Sequence, residues 1–351
     1  MNFVYLFGKF MQDKYKSLQG TKLSDIRAKI NNERYKRNMP KTFAWLTFDI
    51  FLYVLGISTI LQCNHWALQL LGGLIAGWAT SVLFVWGHDA AHGALFKNKI
   101  IAEILGSLAM LPSLNMYRLW CYGHNRVHHG FTSMTEVDWI WKPLSPKEYQ
   151  QKSKMQQFIY RLERSFFSCA LHYFLRVWWQ KMIRFKLPEL NAQFLVVKAV
   201  TFLLAALAFI AVKNFTASYF AAICAVIIPF IVFNYVIAFF VYLHHTHPEI
   251  PYFKTRDQWS FAVGGISCCT VIRMSKLSEI MTHNIMIHVP HHVDFRVPFY
   301  HLKGAYGDLK SDYEKYITEY KFSWNKVFKI FGKCKLFDYE QQIWYNFDDI
   351  K

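Results

Sequence analysis

The side chains able to do chemistry here are histidines, and most of the fifteen lie in four short windows. The first is His88-Asp-Ala-Ala-His92. Residues four apart share one helix face, so both imidazoles can reach one metal region. The second, His124-Asn-Arg-Val-His128-His129, puts His124 and His128 on one face of an α-helix, with His129 about 100° further round. Such a triplet can serve two metals, or one metal from two sides. The third window is Tyr242-Leu-His244-His245-Thr-His247-Pro. The fourth is His283-Asn-Ile-Met-Ile-His288-Val-Pro-His291-His292. Adjacent imidazoles used only as packing would each need a buried partner, so metal ligation is the better reading. Neutral imidazole suits zinc, copper, iron and nickel, and ligand type leaves the metal open. So many histidines, with no matching cysteine set, exceed one tetrahedral zinc site; two metals with open positions fit better. Cys63, Cys121, Cys169, Cys224, Cys268, Cys269 and Cys334 form no CxxC pair and are expected to be reduced packing residues.

Windows so far apart need a scaffold that brings them together, and composition points to a membrane. Of 351 residues, 54% are hydrophobic and only 18% charged. That is too apolar for an ordinary soluble domain, while a mean hydropathy of only +0.12 requires polar parts between apolar runs. Phe43–Gln62, Trp66–Trp86, Phe194–Val212 and Ala217–Leu243 are each long enough to cross hydrocarbon as a helix. Asp49 and Lys198, the charges inside these runs, lie near enough to an end to snorkel or face protein. Ile100–Leu114 is shorter, carries Glu103, and reads as a re-entrant or interfacial helix. The runs are expected as two hairpins with tiny outer turns at 63–65 and 213–216. A basic segment precedes them, with Lys9, Lys14, Lys16, Lys22, Arg27, Lys29, Arg34, Lys36, Arg37 and Lys41 against Asp13, Asp25 and Glu33. By the positive-inside rule that side is cytoplasmic, and all four histidine windows fall on it. Anionic lipid headgroups account for the net charge of +17 without a nucleic-acid partner. No cleavage site precedes the first apolar run, so a removable signal is not expected.

No strand periodicity is evident, and the expected fold is all-α and integral to the membrane, with a cytoplasmic helical cap carrying the histidines. One domain is expected over 1–351: a basic segment (1–42), the first hairpin (43–86), two windows and an insert (87–193), the second hairpin (194–243), and the remaining windows with a tail (244–351). Trp86, Trp120, Trp139, Trp141 and Trp259 are read as anchors at the bilayer surface, with the wall of the site as the alternative. Arg118, Arg126 and Lys142 are read as solvated, with an anionic headgroup or an electron donor as the alternative.

The combined pattern resembles the membrane fatty acid desaturases, whose signature is HxxxH, Hx(2–3)HH and Hx(2–3)HH. HDAAHGALF (88–96) and HNRVHHGFTSMTEVD (124–138) are similar to the first two boxes. YLHHTHPEIPYF (242–253) and THNIMIHVPHHVDFRVPFYHL (282–302) resemble the omega-6/omega-3, delta-12-like branch. The second box has three residues before its HH, where that branch commonly has two. The resemblance implies iron ligands at His88, His92, His124, His128, His129, His245, His288, His291 and His292. It leaves Asp89, Asp138, His244, His283 and Asn284 as candidates for orienting them. It implies two iron ions, O2 as co-substrate, a lipid acyl substrate and insertion of a cis double bond. No HPGG-type cytochrome b5 segment is found, so a separate donor of ferredoxin or cytochrome b5 type is expected. His65 and His172 are read as structural, and His301 as a surface or substrate-contacting residue. Rival readings are a hydroxylase or ketolase of the same superfamily acting on a sterol, carotenoid or alkane, and a membrane metal transporter.

Overall fold

The computed structural model describes residues 15–185 and 191–350. The start of the basic segment, with Lys9, Asp13 and Lys14, lies outside the described residues. The chain forms two compact units, each assembled from separated stretches: Arg37–Tyr122 with Tyr173–Ile237, and residues up to Lys36 with Gly123–His172 and Ala238 onward.

The first of these, the apolar unit, is made of long helices. They are α1 (Met39–Gln62), α2 (Trp66–Ala91), the shorter α3 (Lys99–Met110), α4 (Asn191–Thr216) and α5 (Tyr219–His245), whose last turns continue into the other unit. Asn38, His65, Asn98 and Ser218 side chains cap the starts of α1, α2, α3 and α5 by accepting from free N–H groups of the first turn. α1, α2, α4 and α5 are each long and apolar enough to cross a membrane. Only 17% of the apolar window of α1 and 11% of that of α4 is buried within the chain, against 67% for α2 and 50% for α5. α1 and α4 therefore present the surface that lipid would cover. Lys198 faces protein, as expected, and its Nζ donates to the Ile183 and Phe185 carbonyls at 2.8 and 3.1 Å. After α3 the chain passes through a 3-10 turn and bends sharply at Leu114, whose φ is +54°. A re-entrant loop and a broken span both fit this bend.

Glycines on α2 set how closely its neighbours approach. A Cβ added to Gly72 would lie 2.6 Å from the Gly56 carbonyl oxygen on α1. One added to Gly73 would lie 2.7 Å from the Cys224 carbonyl oxygen, and one at Gly77 only 2.4 Å from the Val232 Cβ, both on α5. Between spans in lipid, attraction comes from such close dispersion contact, since hydrocarbon outside is as apolar as the helices themselves. Gly77→Ala is expected to destabilise this packing by about 1–3 kcal/mol. Gly307→Ala, where no atom lies within 4 Å, is expected to be neutral or slightly stabilising. Melting temperatures of the two detergent-solubilised variants check this directly.

The described residues are mostly helical, and the second, mixed unit amends the all-α expectation only by four short strands. β1 (Thr270–Arg273) pairs in parallel with β2 (Thr318–Lys321), Thr270 opposite Thr318. β3 (Leu336–Asp338) pairs antiparallel with β4 (Ile343–Tyr345). Strands of three or four residues are too short to display a two-residue alternation, and β1 finds its partner far along the chain. The tryptophans bring a second correction. Trp86, Trp120, Trp141 and Trp259 are buried in protein instead of anchoring at a surface. The indole N–H groups of Trp86 and Trp259 donate inward, to the Thr42 carbonyl at 3.1 Å and the Thr132 carbonyl at 2.9 Å. All seven cysteines are free thiols.

Candidate metal centre

In the apolar unit, α2 stays helical through Ala91, which puts His88 in its last turn and His92 at its C-cap. The two rings meet edge to face with centroids 4.5 Å apart. His88 Nδ1 lies 2.9 Å from the Asp89 carboxylate, which can only accept, so Nδ1 carries the proton and Nε2 is left with a lone pair.

The mixed unit holds the larger set. Its second histidine window is not α-helical. Tyr122–His128 is a π-helical turn, closed by an N–H of His129 donating to the His124 carbonyl five residues back at 3.0 Å. The wider turn changes which imidazoles pair. His124 and His129 come together, Nε2 to Nε2 at 3.0 Å, while His128 turns to His245 at 3.2 Å. The expected pairing of His124 with His128 on one face is thus corrected by one residue.

The third histidine box, residues 288–292 in the fourth window, is positioned by β1. The His288 N–H donates to the Thr270 carbonyl at 3.2 Å, and the Thr270 hydroxyl donates to the Leu243 carbonyl near the end of α5 at 2.9 Å. One strand therefore ties the end of α5 to the helix Val289–Val293, which Pro290 starts. The result is a buried quartet, His128, His245, His288 and His292, whose ligand atoms lie within 4.8 Å of one another. His124, His129 and His291 present ligand atoms to one another within the same limit.

The protons of the quartet can be followed atom by atom. His245 Nδ1 faces the Cys268 carbonyl at 3.0 Å; a carbonyl only accepts, so this nitrogen bears the hydrogen. His128 Nδ1 lies 3.0 Å from Asp138, whose carboxylate also accepts the Ser133 and Ile140 N–H groups, each at 3.0 Å. The Thr132 hydroxyl donates its one proton to the His128 carbonyl, so it accepts from His292 Nδ1 at 3.0 Å. With each ring neutral, Nε2 is left unprotonated in all three, and the lone pairs of His128 and His245 then face each other at 3.2 Å. With no proton to share, that contact is repulsive on its own and is satisfied by a cation. The donor set fits a metal ion.

Burial, reinforced by neighbouring imidazoles, holds His288 and His292 well below the ordinary imidazole value of 6.5. The depressed folded value means that the unfolded chain takes up protons below about pH 6.5 which the folded chain refuses. Stability from these rings is therefore complete above that pH and lost as pH falls. Metal-stripped protein is expected to melt at a lower temperature at about pH 5 than at about pH 7, as scanning calorimetry would show.

The remaining candidates have other surroundings. His244 stacks on His288 with centroids 3.8 Å apart, and its Nε2 lies 3.2 Å from the Met286 sulfur. His283 stacks on Phe299, and both His283 and Asn284 are left-handed, with φ of +53°. That turn lets the Asn284 N–H reach the Glu279 carbonyl and brings the chain into box three. His65 caps α2, His172 stacks on Trp141, and His301 precedes the helix Leu302–Tyr313. Thr132 and the Cys268 carbonyl orient imidazoles and were not singled out from the sequence. Thr132 has a faint signal, a hydroxyl four residues after His128; a backbone carbonyl has none.

A sequence profile described as fatty acid desaturase matches residues 64–324. The chain is 29% identical over 326 residues to the chloroplastic omega-6 fatty acid desaturase of Arabidopsis thaliana, covering 91% of this chain and 70% of that one. It is 27% identical over 335 residues to the sn-1 oleoyl-lipid 12-desaturase of Picosynechococcus, with 91% of each chain covered. Against the protein of that name from Synechocystis the figures are 28% over 326 residues, with 91% and 90% covered.

Proposed function

We propose that this chain, which belongs to the fatty acid desaturase family of membrane oxidoreductases, uses O2 and two irons to place a cis double bond in a lipid-linked acyl chain. Relatives named oleoyl-lipid 12-desaturases support a delta-12-type acyl-lipid substrate. The observation that carries the metal is the close approach of the His128 and His245 Nε2 atoms, 3.2 Å apart, with each Nδ1 held by its own acceptor. In this reading His128, His245, His288 and His292 hold one iron. The second is assigned to His88, His92, His124, His129 and His291 by the family resemblance. The profile match runs through both compact units, which supports treating 1–351 as one domain.

Bound iron would supply the oxidising power that no side chain has for an unactivated C–H bond. The protein's share is positioning. Asp138, Thr132 and the Cys268 carbonyl fix three ring tautomers, which keeps Nε2 turned inward and basic. His128, His245, His288 and His292 are each 4% exposed or less, so bulk water is kept from the ligand atoms. A bound acyl chain would be oxidised at the carbon pair its fit brings within reach. The spans are assigned as two hairpins with the basic segment and the histidines on the cytoplasmic face; the charges before α1 and the short turn between α1 and α2 support this. Electrons come from a separate donor.

Expression in a host without polyunsaturated lipids, wild type beside His291→Ala, tests the reading. Wild type is expected to yield a new cis-unsaturated fatty acid, and the variant none. Identical lipid profiles, with iron-loaded protein and a donor present, would overturn it, as would a hydroxy or keto product.

A further inference from the structure

Two ligand imidazoles, His129 and His292, line a cavity of about 150 Å³ within the mixed unit, together with Trp259, Phe261 and Arg27. At its edge Phe261 is 51% exposed. It packs against Trp259 with ring centroids 5.0 Å apart, and Trp259 in turn stacks on Phe131 at 6.0 Å and 23°. The exposed Arg256 places its guanidinium 4.9 Å over the Phe131 ring. Inward, the chain of contacts continues without a gap. Trp259 Nε1–H donates to the Thr132 carbonyl at 2.9 Å, and the Thr132 hydroxyl accepts from His292 Nδ1 at 3.0 Å.

We propose that this aromatic edge is the docking port for a small acidic protein that carries one electron at a time, and that Trp259 and Thr132 connect it to His292. The inference rests on the desaturase reading, whose electron balance requires a donor. Converting R–CH2–CH2–R′ to R–CH=CH–R′ releases two electrons and two protons. Reducing O2 to two waters consumes four of each. The missing two electrons must come from a reductant, in two single deliveries from a one-electron carrier, with two protons from solvent. A carrier needs a partly apolar patch to seat on and a conductive route from patch to metal. The Phe261–Trp259–Phe131 cluster offers the first, and the Trp259–Thr132–His292 contacts offer the second. Arg256 at the rim and a chain net charge of +17 select an acidic partner.

The test uses iron-loaded, full-length protein under anaerobic conditions in a stopped-flow instrument. Two probes are mixed with it separately: a reduced plant-type [2Fe–2S] ferredoxin and the reduced haem domain of cytochrome b5. Oxidation of the carrier is read from its own absorbance, and dithionite serves as a small reductant that needs no docking. In Arg256→Glu/Phe261→Ser, which alters exposed side chains only, oxidation of whichever carrier wild type uses is expected to slow roughly tenfold. The iron content and the dithionite rate should stay at wild-type values. Trp259→Phe, which loses the N–H to Thr132, should slow electron transfer at saturating carrier while leaving carrier affinity unchanged. Carrier oxidation at the wild-type rate in the double variant overturns the port, as does an equal loss of the dithionite rate. Iron-loaded wild type that accepts electrons from dithionite but from neither carrier overturns it too. Failure of the desaturase reading is seen separately, as wild type that accepts electrons yet forms no double bond with lipid and O2.

Discussion

His245→Ala is expected to leave the protein with about half its iron and without measurable desaturation. His245 is the one quartet member outside the three boxes, and α5 delivers it from the far end of a long apolar helix. Its Nδ1 proton is held by the Cys268 carbonyl and its Nε2 faces His128 at 3.2 Å, so alanine removes a ligand and opens a gap among buried rings. The remaining His128, His288 and His292 lack the fourth donor of the set. In the proposed two-iron centre the ligands assigned to the second ion are untouched, so iron is expected to fall by about half instead of vanishing. Iron per chain after purification, measured by plasma mass spectrometry beside His244→Ala, checks the expectation. His244 stacks on His288 without joining the quartet, so its variant should keep nearly all its iron. Equal iron loss in both would mean that the ligand has been placed one residue too late.

The second large effect is expected at Asp138. Its carboxylate accepts three hydrogens, from His128 Nδ1 and from the Ser133 and Ile140 N–H groups, and is 2% exposed. Asp138→Ala leaves all three donors unsatisfied in a buried place, at a cost of about 1–3 kcal/mol for each that finds no water. It also frees the His128 ring to rotate and to move its proton to Nε2, where that proton would block a metal. Iron affinity is expected to fall about 10- to 100-fold. Asp138→Asn separates the two effects. Its amide oxygen keeps one side of the arrangement, but its NH2 meets donors on the other, so the fold should survive better than with alanine while metal affinity stays low. Competition with a chelator reads affinity, and thermal melting reads the fold. A variant that melts early yet binds iron as tightly as wild type would show that Asp138 serves the loop alone.

What the sequence makes legible follows from how local the physics is. The His88/His92 pair is readable because α2 remains an α-helix to Ala91 and the four-residue spacing applies without change. The four spans are readable from length and apolarity, although their ends extend a few residues beyond the apolar runs, to Met39, Ala91 and His245. Asp138 follows its box closely enough to be suspected, and it reaches His128. Other features depend on partners distant in sequence. β1 holds box three against the end of α5, but its own strand partner lies at Thr318–Lys321, and four residues cannot announce such a pairing. Gly73 and Gly77 look like any small residues in an apolar run until Cys224 and Val232 are set against them. The tryptophans mislead for a related reason. Indole is favoured at bilayer surfaces, but it is equally content inside protein where a backbone carbonyl meets its N–H, and only the fold supplies those carbonyls.

The π-helical turn at Tyr122–His128 bears on how this box tolerates insertions and deletions. In an α-helix of about 3.6 residues per turn, histidines at i, i+3 and i+4 straddle one full turn. A π turn takes up about one residue more, so histidines at i, i+4 and i+5 occupy nearly the same angles. His124, His128 and His129 follow the longer spacing, with three residues before the final pair, and the wide turn absorbs the extra one. Gain or loss of a single codon between His124 and His128 can therefore be accommodated by switching the local helix type, leaving the direction of each imidazole almost unchanged. Box spacings of two and three residues become interchangeable solutions to one geometric requirement, and a difference of one residue there is a poor guide to a difference in chemistry.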